Sequence, residues 1–174
     1  MAIFSEEFNN LNDFFIHELE SLYDVEKRLA EALPKMAEAA HDSQLKSGFQ
    51  MHTTQTEEHA RRLENIFAQL GREPKRETSD AIKGIISEGD DIASAKGNDM
   101  VRDAALITAG QKAEHFEMAG YGSARTHARQ LGFDDIAKTL QQTLNEEGET
   151  DKKLTEIAER AVNMKAPQGE PTHA

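Results

Sequence analysis

The sequence predicts an all-α protein: a bundle of four long helices, with one long crossover that carries a short fifth helix. Three observations predict it. Ala, Glu, Leu, Lys and Gln dominate while runs of β-branched residues are missing, which favours helix over strand. Apolar residues recur at helical spacing through four long stretches. Caps and glycine stops separate those stretches, and three of the four prolines (Pro74, Pro167, Pro171) fall near ends or loops.

The first long helix starts at Asn10, where Asn10 and Asp13 form an N-terminal cap. Its stripe runs Leu11, Phe15, Leu19, Leu22, Glu26, Leu29, Leu33, Met36, and Pro34 is expected to kink it near the end. The second follows a cap at Asp42 or Ser43. Its stripe is Leu45, Phe49, His52, Thr56, His59, Leu63, Ile66, Leu70, and Gly71 stops it. Arg72 to Thr78 reads as a charged loop, and Ser79 to about Lys96 as a shorter amphipathic helix weakened by Gly84 and Gly89. Gly97, Asn98 and Asp99 make a turn and cap. The third long helix then reaches about Leu131 on the stripe Ala104, Ile107, Gln111, Glu114, Met118, Tyr121. Gly132 stops it and Asp134 caps the fourth, which carries Ala137, Leu140, Leu144, Glu147, Asp151, Leu154 and Ala158. Residues 1–166 form one domain, and 167–174 a polar tail expected to be disordered.

The connections set the topology. Short turns make hairpins of the first two and the last two long helices. The middle connection spans roughly 25 Å at ~1.5 Å per residue, enough to carry the chain back along the bundle. The second and third long helices are then parallel, the arrangement of ferritin-like folds.

Composition narrows the functions. The 174 residues suit one domain with a real core, and 37% hydrophobic with 30% charged residues suits a bundle with wide solvated faces. With 32 acidic residues against 20 basic ones the net charge is -12, which argues against nucleic acid and anionic membranes as partners while tolerating cations. No cysteine is present, which excludes disulfides, zinc–thiolate sites and thiol catalysis. Met1 to Asn12 lacks the pattern of a signal peptide, and no apolar run approaches the ~20 residues of a membrane span, so the cytoplasm is the expected compartment.

Each long helix carries ionisable residues on its apolar stripe, where a charge costs several kcal/mol unless paired, neutralised or bound to a metal. Their heights agree. If the helices are of similar length and aligned, Glu26, His59, Glu114 and Glu147 share one mid-height layer. Glu117 and Asp151 lie one turn from Glu114 and Glu147, and His52 two turns from His59 on the same face. Carboxylates gathered in one layer cannot stay ionised without a cation. Oxygen-rich ligation with one or two imidazoles suits iron or manganese, and shared carboxylates can bridge two ions. Singly, each residue has a blander reading. A lone glutamate on a stripe is more often structural, and a core histidine is often only hydrogen-bonded to a carboxylate. His115 faces another direction from Glu114, Tyr23 and Tyr121 read first as packing, and Glu57, Glu58, Glu146 and Glu149 as solvated faces. Gly110, Ala113, Gly120 and Ala124 form a small-residue ridge for close helix approach, within the bundle or across a dimer.

Asn12 to Leu19, Leu22 to Lys27 and Ala32 to Met36 resemble the YciF-like family of the ferritin-like superfamily. So do Val101 to Ile107, Gln111 to Glu117 with Tyr121-Gly122, and Leu140 to Leu154 with Glu146, Glu147 and Asp151. The similarity runs to about Asn163. It implies a bacterial stress-associated protein with a rubrerythrin-related fold, dimeric and without an established enzymatic activity. It also implies Glu26, His52, Glu114, Glu117, Glu147 and Asp151 as site residues. The chain departs from the wider di-iron pattern, which uses Glu-x-x-His on two helices. Up to Asn163 the one match, Glu38-x-x-His41, lies at a helix end, and Gln55 stands where relatives often carry a glutamate.

Two functions follow. One is a dinuclear iron or manganese protein that handles peroxide or dioxygen or oxidises ferrous iron, with an external electron donor because no cysteine can hold an iron–sulfur centre. The other is a non-catalytic homodimeric stress protein whose metal only stabilises the bundle. An iron-storage cage ranks below both, since no feature points to a large shell.

Overall fold

The computed structural model describes residues 7–169. Its elements are α1 (Leu11–Ala39), α2 (Ser43–Gln69), α3 (Asp80–Ser94), α4 (Asp99–Gln130) and α5 (Asp134–Ile157). A π-helical turn (Ala158–Val162) and α6 (Asn163–Lys165) prolong α5. No strand occurs among the described residues.

The boundaries follow the local signals. The Asn10 side chain accepts from the Asp13 N–H, that of Asp42 from Gln44 and Leu45, and that of Asn98 from Met100 and Val101. Ser79 does the same for Ile82, which makes it the cap of α3 rather than its first residue. Gly71 and Gly132 end α2 and α4 at φ 66° and 81°, a region open to residues without a Cβ. One expectation is corrected: Asp134 is the first residue of α5 rather than its cap, and Phe133 precedes it without any side-chain cap. Pro34 lies exposed inside α1, which continues past it to Ala39. At the chain ends, Pro167 to Gly169 are exposed and non-helical, and the rest of the expected tail and of the N-terminal segment lies outside the described residues.

Side-chain pairs give the topology. Down α2, Phe49 lies against Gly110, His52 against Glu114 and His59 against Tyr121, so α2 and α4 are parallel. Against α5 the order reverses: His52 meets Thr150, His59 meets Glu146 and Arg62 meets Thr143. The crossover therefore returns the chain as the sequence predicts, and α3 packs along the outside of α1 and α4. Asp24, buried on α1, fastens that crossover: it accepts from Arg28 at 2.6 Å, Arg76 at 2.8 Å and the Ser79 N–H at 3.2 Å.

The small-residue ridge serves the interior of the bundle. A Cβ on Gly120 would sit 2.9 Å from Leu22, and one on Gly110 would sit 3.2 Å from both Phe49 and Leu154. The apolar core comes in two halves. One gathers Leu29, Leu33, Leu45, Phe49, Ile82, Leu106 and Leu154, and the other Phe15, Leu19, Leu63, Ile66, Phe67 and Leu140. The polar layer lies between them.

Candidate metal centre

Helical spacing builds the layer. Glu26 on α1 sits between Leu22 and Leu29, so burying that stripe buries the carboxylate. On α2, His52, Thr56 and His59 succeed one another by four and three residues on the face that carries Phe49 and Leu63. Glu114 and Glu117 are three apart on α4, and Glu147 lies between Leu140 and Leu154 on α5. All seven side chains belong to residues no more than 2% exposed.

Two groups result, each with ligand-capable atoms within 4.8 Å of one another: His52, Glu114, Glu117 and Glu147, and Glu26, His59 and Glu147. Glu147 belongs to both. In the first, His52 Nε2 lies 3.0 Å from Glu114 Oε1 and 3.9 Å from Glu147 Oε2. In the second, His59 Nδ1 lies 2.8 Å from Glu147 Oε1 and 3.7 Å from Glu26 Oε1. The closer of these approaches is not directed along a ring N–H, so Nδ1 counts among the buried atoms without a hydrogen-bond partner. The Tyr121 hydroxyl donates to that same oxygen, Glu26 Oε1.

The electrostatics are severe. Burial, with Glu147 nearby, pushes the Glu26 carboxyl up to about 8. Burial raises Glu114 to about 7 against the opposing pull of His52, and it raises Glu117 well above the carboxylate range, reinforced by Glu147, Glu26 and Glu114. Burial alone would lower His52; the Glu114 carboxylate, with Glu147 and Glu26, outweighs it and raises the ring to about 9. His59 is likewise raised, by Glu147 and Glu26 acting against burial. Glu146, outside the layer, behaves oppositely: burial would raise it, but Arg62, His59 and Gln142 bring it down to about 2.

Six carboxylate oxygens of this layer, Glu26 Oε2, Glu114 Oε2, both of Glu117 and both of Glu147, have no hydrogen-bond partner. Buried oxygens of this kind are ordinarily satisfied. Four carboxylates and two imidazoles, gathered in two adjoining groups that share Glu147, form a donor set that fits divalent cations.

The sequence-predicted residues are distributed unevenly. Glu26, His52, His59, Glu114, Glu117 and Glu147 come together in the two groups. Asp151 stands outside both: its Oδ1 accepts from Gln111 at 3.0 Å and lies 3.3 Å from the exposed His115. One turn past Glu147, it has rotated toward the α4 surface. Tyr121 does more than pack, while Tyr23 donates to Glu64 instead, at 2.7 Å. Gln55 is only half-buried; the buried residue three before His59 is Thr56, so Thr56-x-x-His59 stands where Glu-x-x-His would. Glu146 is the residue that sequence reasoning left on a solvated face. It bonds His59 Nε2 at 2.8 Å, and the signal for it was Arg62, three residues on from His59 on the same side of α2.

A helical bundle split by a buried layer of carboxylates and histidines defines a ferritin-like protein with a candidate metal centre. Residues 10–167 match the family described as "Domain of unknown function (DUF892)", and the chain belongs to that family. It is 40% identical to Protein YciF of Escherichia coli K12 over 157 residues, 90% of this chain and 95% of that protein. The crystal structure of the E. coli stress protein YciF superimposes with a TM-score of 0.87 at 39% identity, covering 91% of this chain and 100% of that one. YcfI of Rhodopseudomonas palustris gives 0.84 at 36% identity, covering 88% and 98%. A two-domain protein of Anabaena variabilis with DJ-1/ThiJ/PfpI-like and ferritin-like domains gives 0.62 at 17% identity, covering 95% of this chain and 42% of that one, a likeness of fold alone.

Proposed function

We propose that this chain is a dinuclear iron or manganese carboxylate protein that handles a small oxidant, peroxide or dioxygen. The observation that carries the reading is Glu147, whose two partnerless oxygens serve both groups and so fit a carboxylate shared by two cations. Glu26 and His59 would complete one position, and His52, Glu114 and Glu117 the other. A redox-active pair held there would supply or accept the electrons of peroxide reduction, dismutation or ferrous iron oxidation. The protein's own part is orientation and exclusion of water. Tyr121 holds the Glu26 carboxylate, and the two apolar halves of the core keep the layer dry. Electrons from outside the pair need an external donor, as the chain has no cysteine.

The 39% identity to a protein described as a stress protein supports a role in a stress response. The net charge of -12 supports leaving nucleic acid and anionic membranes out, and among the described residues no helix is long and apolar enough to cross a membrane. A cytoplasmic homodimer completes the reading, and sedimentation velocity tests the assembly.

A second reading has an observation of its own. Every residue of the layer is at most 2% exposed, which suits a cation that stabilises the bundle without turnover. Elemental analysis of purified protein, followed by a peroxide-consumption assay, separates the two. Two iron or manganese ions per chain with turnover support the first; metal without turnover supports the second, and protein that takes up neither ion overturns both.

A further inference from the structure

The two imidazoles of the layer are held differently on their outer sides. His52 Nδ1 faces the Thr150 hydroxyl, at 3.5 Å. His59 Nε2 instead lies 2.8 Å from Glu146 Oε2, and that carboxylate has no freedom left. Arg62 donates to its two oxygens from Nη1 at 2.7 Å and Nη2 at 3.1 Å, and the Gln142 amide donates to Oε1 at 3.1 Å. Arg62 is itself fixed by a further bond from Nη1 to the buried Thr143 hydroxyl at 3.2 Å. An ionised carboxylate only accepts, so the ring nitrogen facing Glu146 carries the hydrogen. The opposite nitrogen, Nδ1, then lies on the side of the ring toward Glu26 and Glu147, 3.7 Å and 2.8 Å away.

We infer that Glu146, clamped by Arg62, is a positioning residue that fixes the ring of His59 so that Nδ1 offers its lone pair at the Glu26–Glu147 position. The inference deepens the metal reading above. Outer partners of this kind set the tautomer and basicity of a ligating histidine. They make the two positions unequal: the one at His59 is pre-organised by a charged clamp, and the one at His52 rests on a neutral hydroxyl.

The test compares Glu146→Ala with Glu146→Gln, since a glutamine oxygen can still accept from the ring while the ion pair with Arg62 is lost. The metal-free protein, labelled with ¹⁵N at histidine, is read by long-range proton–nitrogen NMR. We expect a slowly exchanging Nε2 proton on His59 in the natural protein and in E146Q, absent in E146A, with His52 unchanged. In manganese titrations, His59→Ala abolishes one binding step; E146A weakens that same step by about 10- to 100-fold, and E146Q weakens it less. Identical His59 signals in all three proteins, or equal losses in E146A and E146Q, overturn the inference and leave Glu146 as a tie between helices. A natural protein that takes up no manganese refutes the metal reading, while the NMR comparison still decides the role of Glu146.

Discussion

At the scale of single residues, the layer trades stability for binding. Glu117 is the clearest case, with both oxygens buried, without partners and amid three other carboxylates. A buried polar group left without partners costs about 1–3 kcal/mol. Glu117→Met is therefore expected to stabilise the metal-free protein by about 1–3 kcal/mol in urea denaturation and to cost an ion at the His52 group. Equal or lower stability would show that the Glu117 carboxyl is already well accommodated. Residue types alone made Glu26, Glu114 and Glu147 visible, because a charge on an apolar stripe is anomalous wherever it stands. Glu146 stayed hidden for the opposite reason: beside Glu147, it looks like any solvated helix face until α2 brings His59 and Arg62 against it.

Among the elements, α4 shows how close approach is obtained. Gly110 admits Phe49 and Leu154 into the groove it leaves, whereas a Cβ on Gly122 would meet nothing within 4 Å. Alanine in place of a helical glycine ordinarily gains about 0.5–1 kcal/mol through reduced backbone entropy. Thermal unfolding should show that gain for Gly122→Ala and a loss for Gly110→Ala, because Phe49 and Leu154 cannot both retreat in a packed core. A gain at both positions would mean that the ridge is not where the helices are held together. The ridge was legible as a run of small residues at helical spacing. Which helices it accepts was not, since a ridge of Gly and Ala suits any partner.

For the whole molecule, the buried layer sets the response to pH. Folded Glu26 and Glu114 titrate at about 8 and about 7, against ~4.3 for an unfolded glutamate. A raised folded value means that the native state binds the proton more tightly. The resulting stability is full below the unfolded value and is lost as pH climbs through the folded one. His52, at about 9 against ~6.5 unfolded, acts in the same direction. The urea midpoint of the metal-free protein is thus expected to fall between pH ~6 and ~9. Manganese should flatten the fall, with protons released on loading and detected as a buffer-dependent heat of binding. A midpoint that climbs over that range would contradict protons held in the layer.

The sequence by itself determined the helices, their stops and most of their caps, the parallel relation of α2 and α4, and the identity of six side chains that meet at mid-height. These are consequences of periodicity and length, which act locally and can be read along one chain. Tertiary structure decided the rest. It turned Asp151 out toward Gln111 and His115, put Thr56 rather than Gln55 at the buried position before His59, and made Glu147 common to two groups. Those outcomes depend on the rotation of each helix about its axis, and a rotation is set by how the side chains of neighbouring helices interlock, not by the spacing within any one of them.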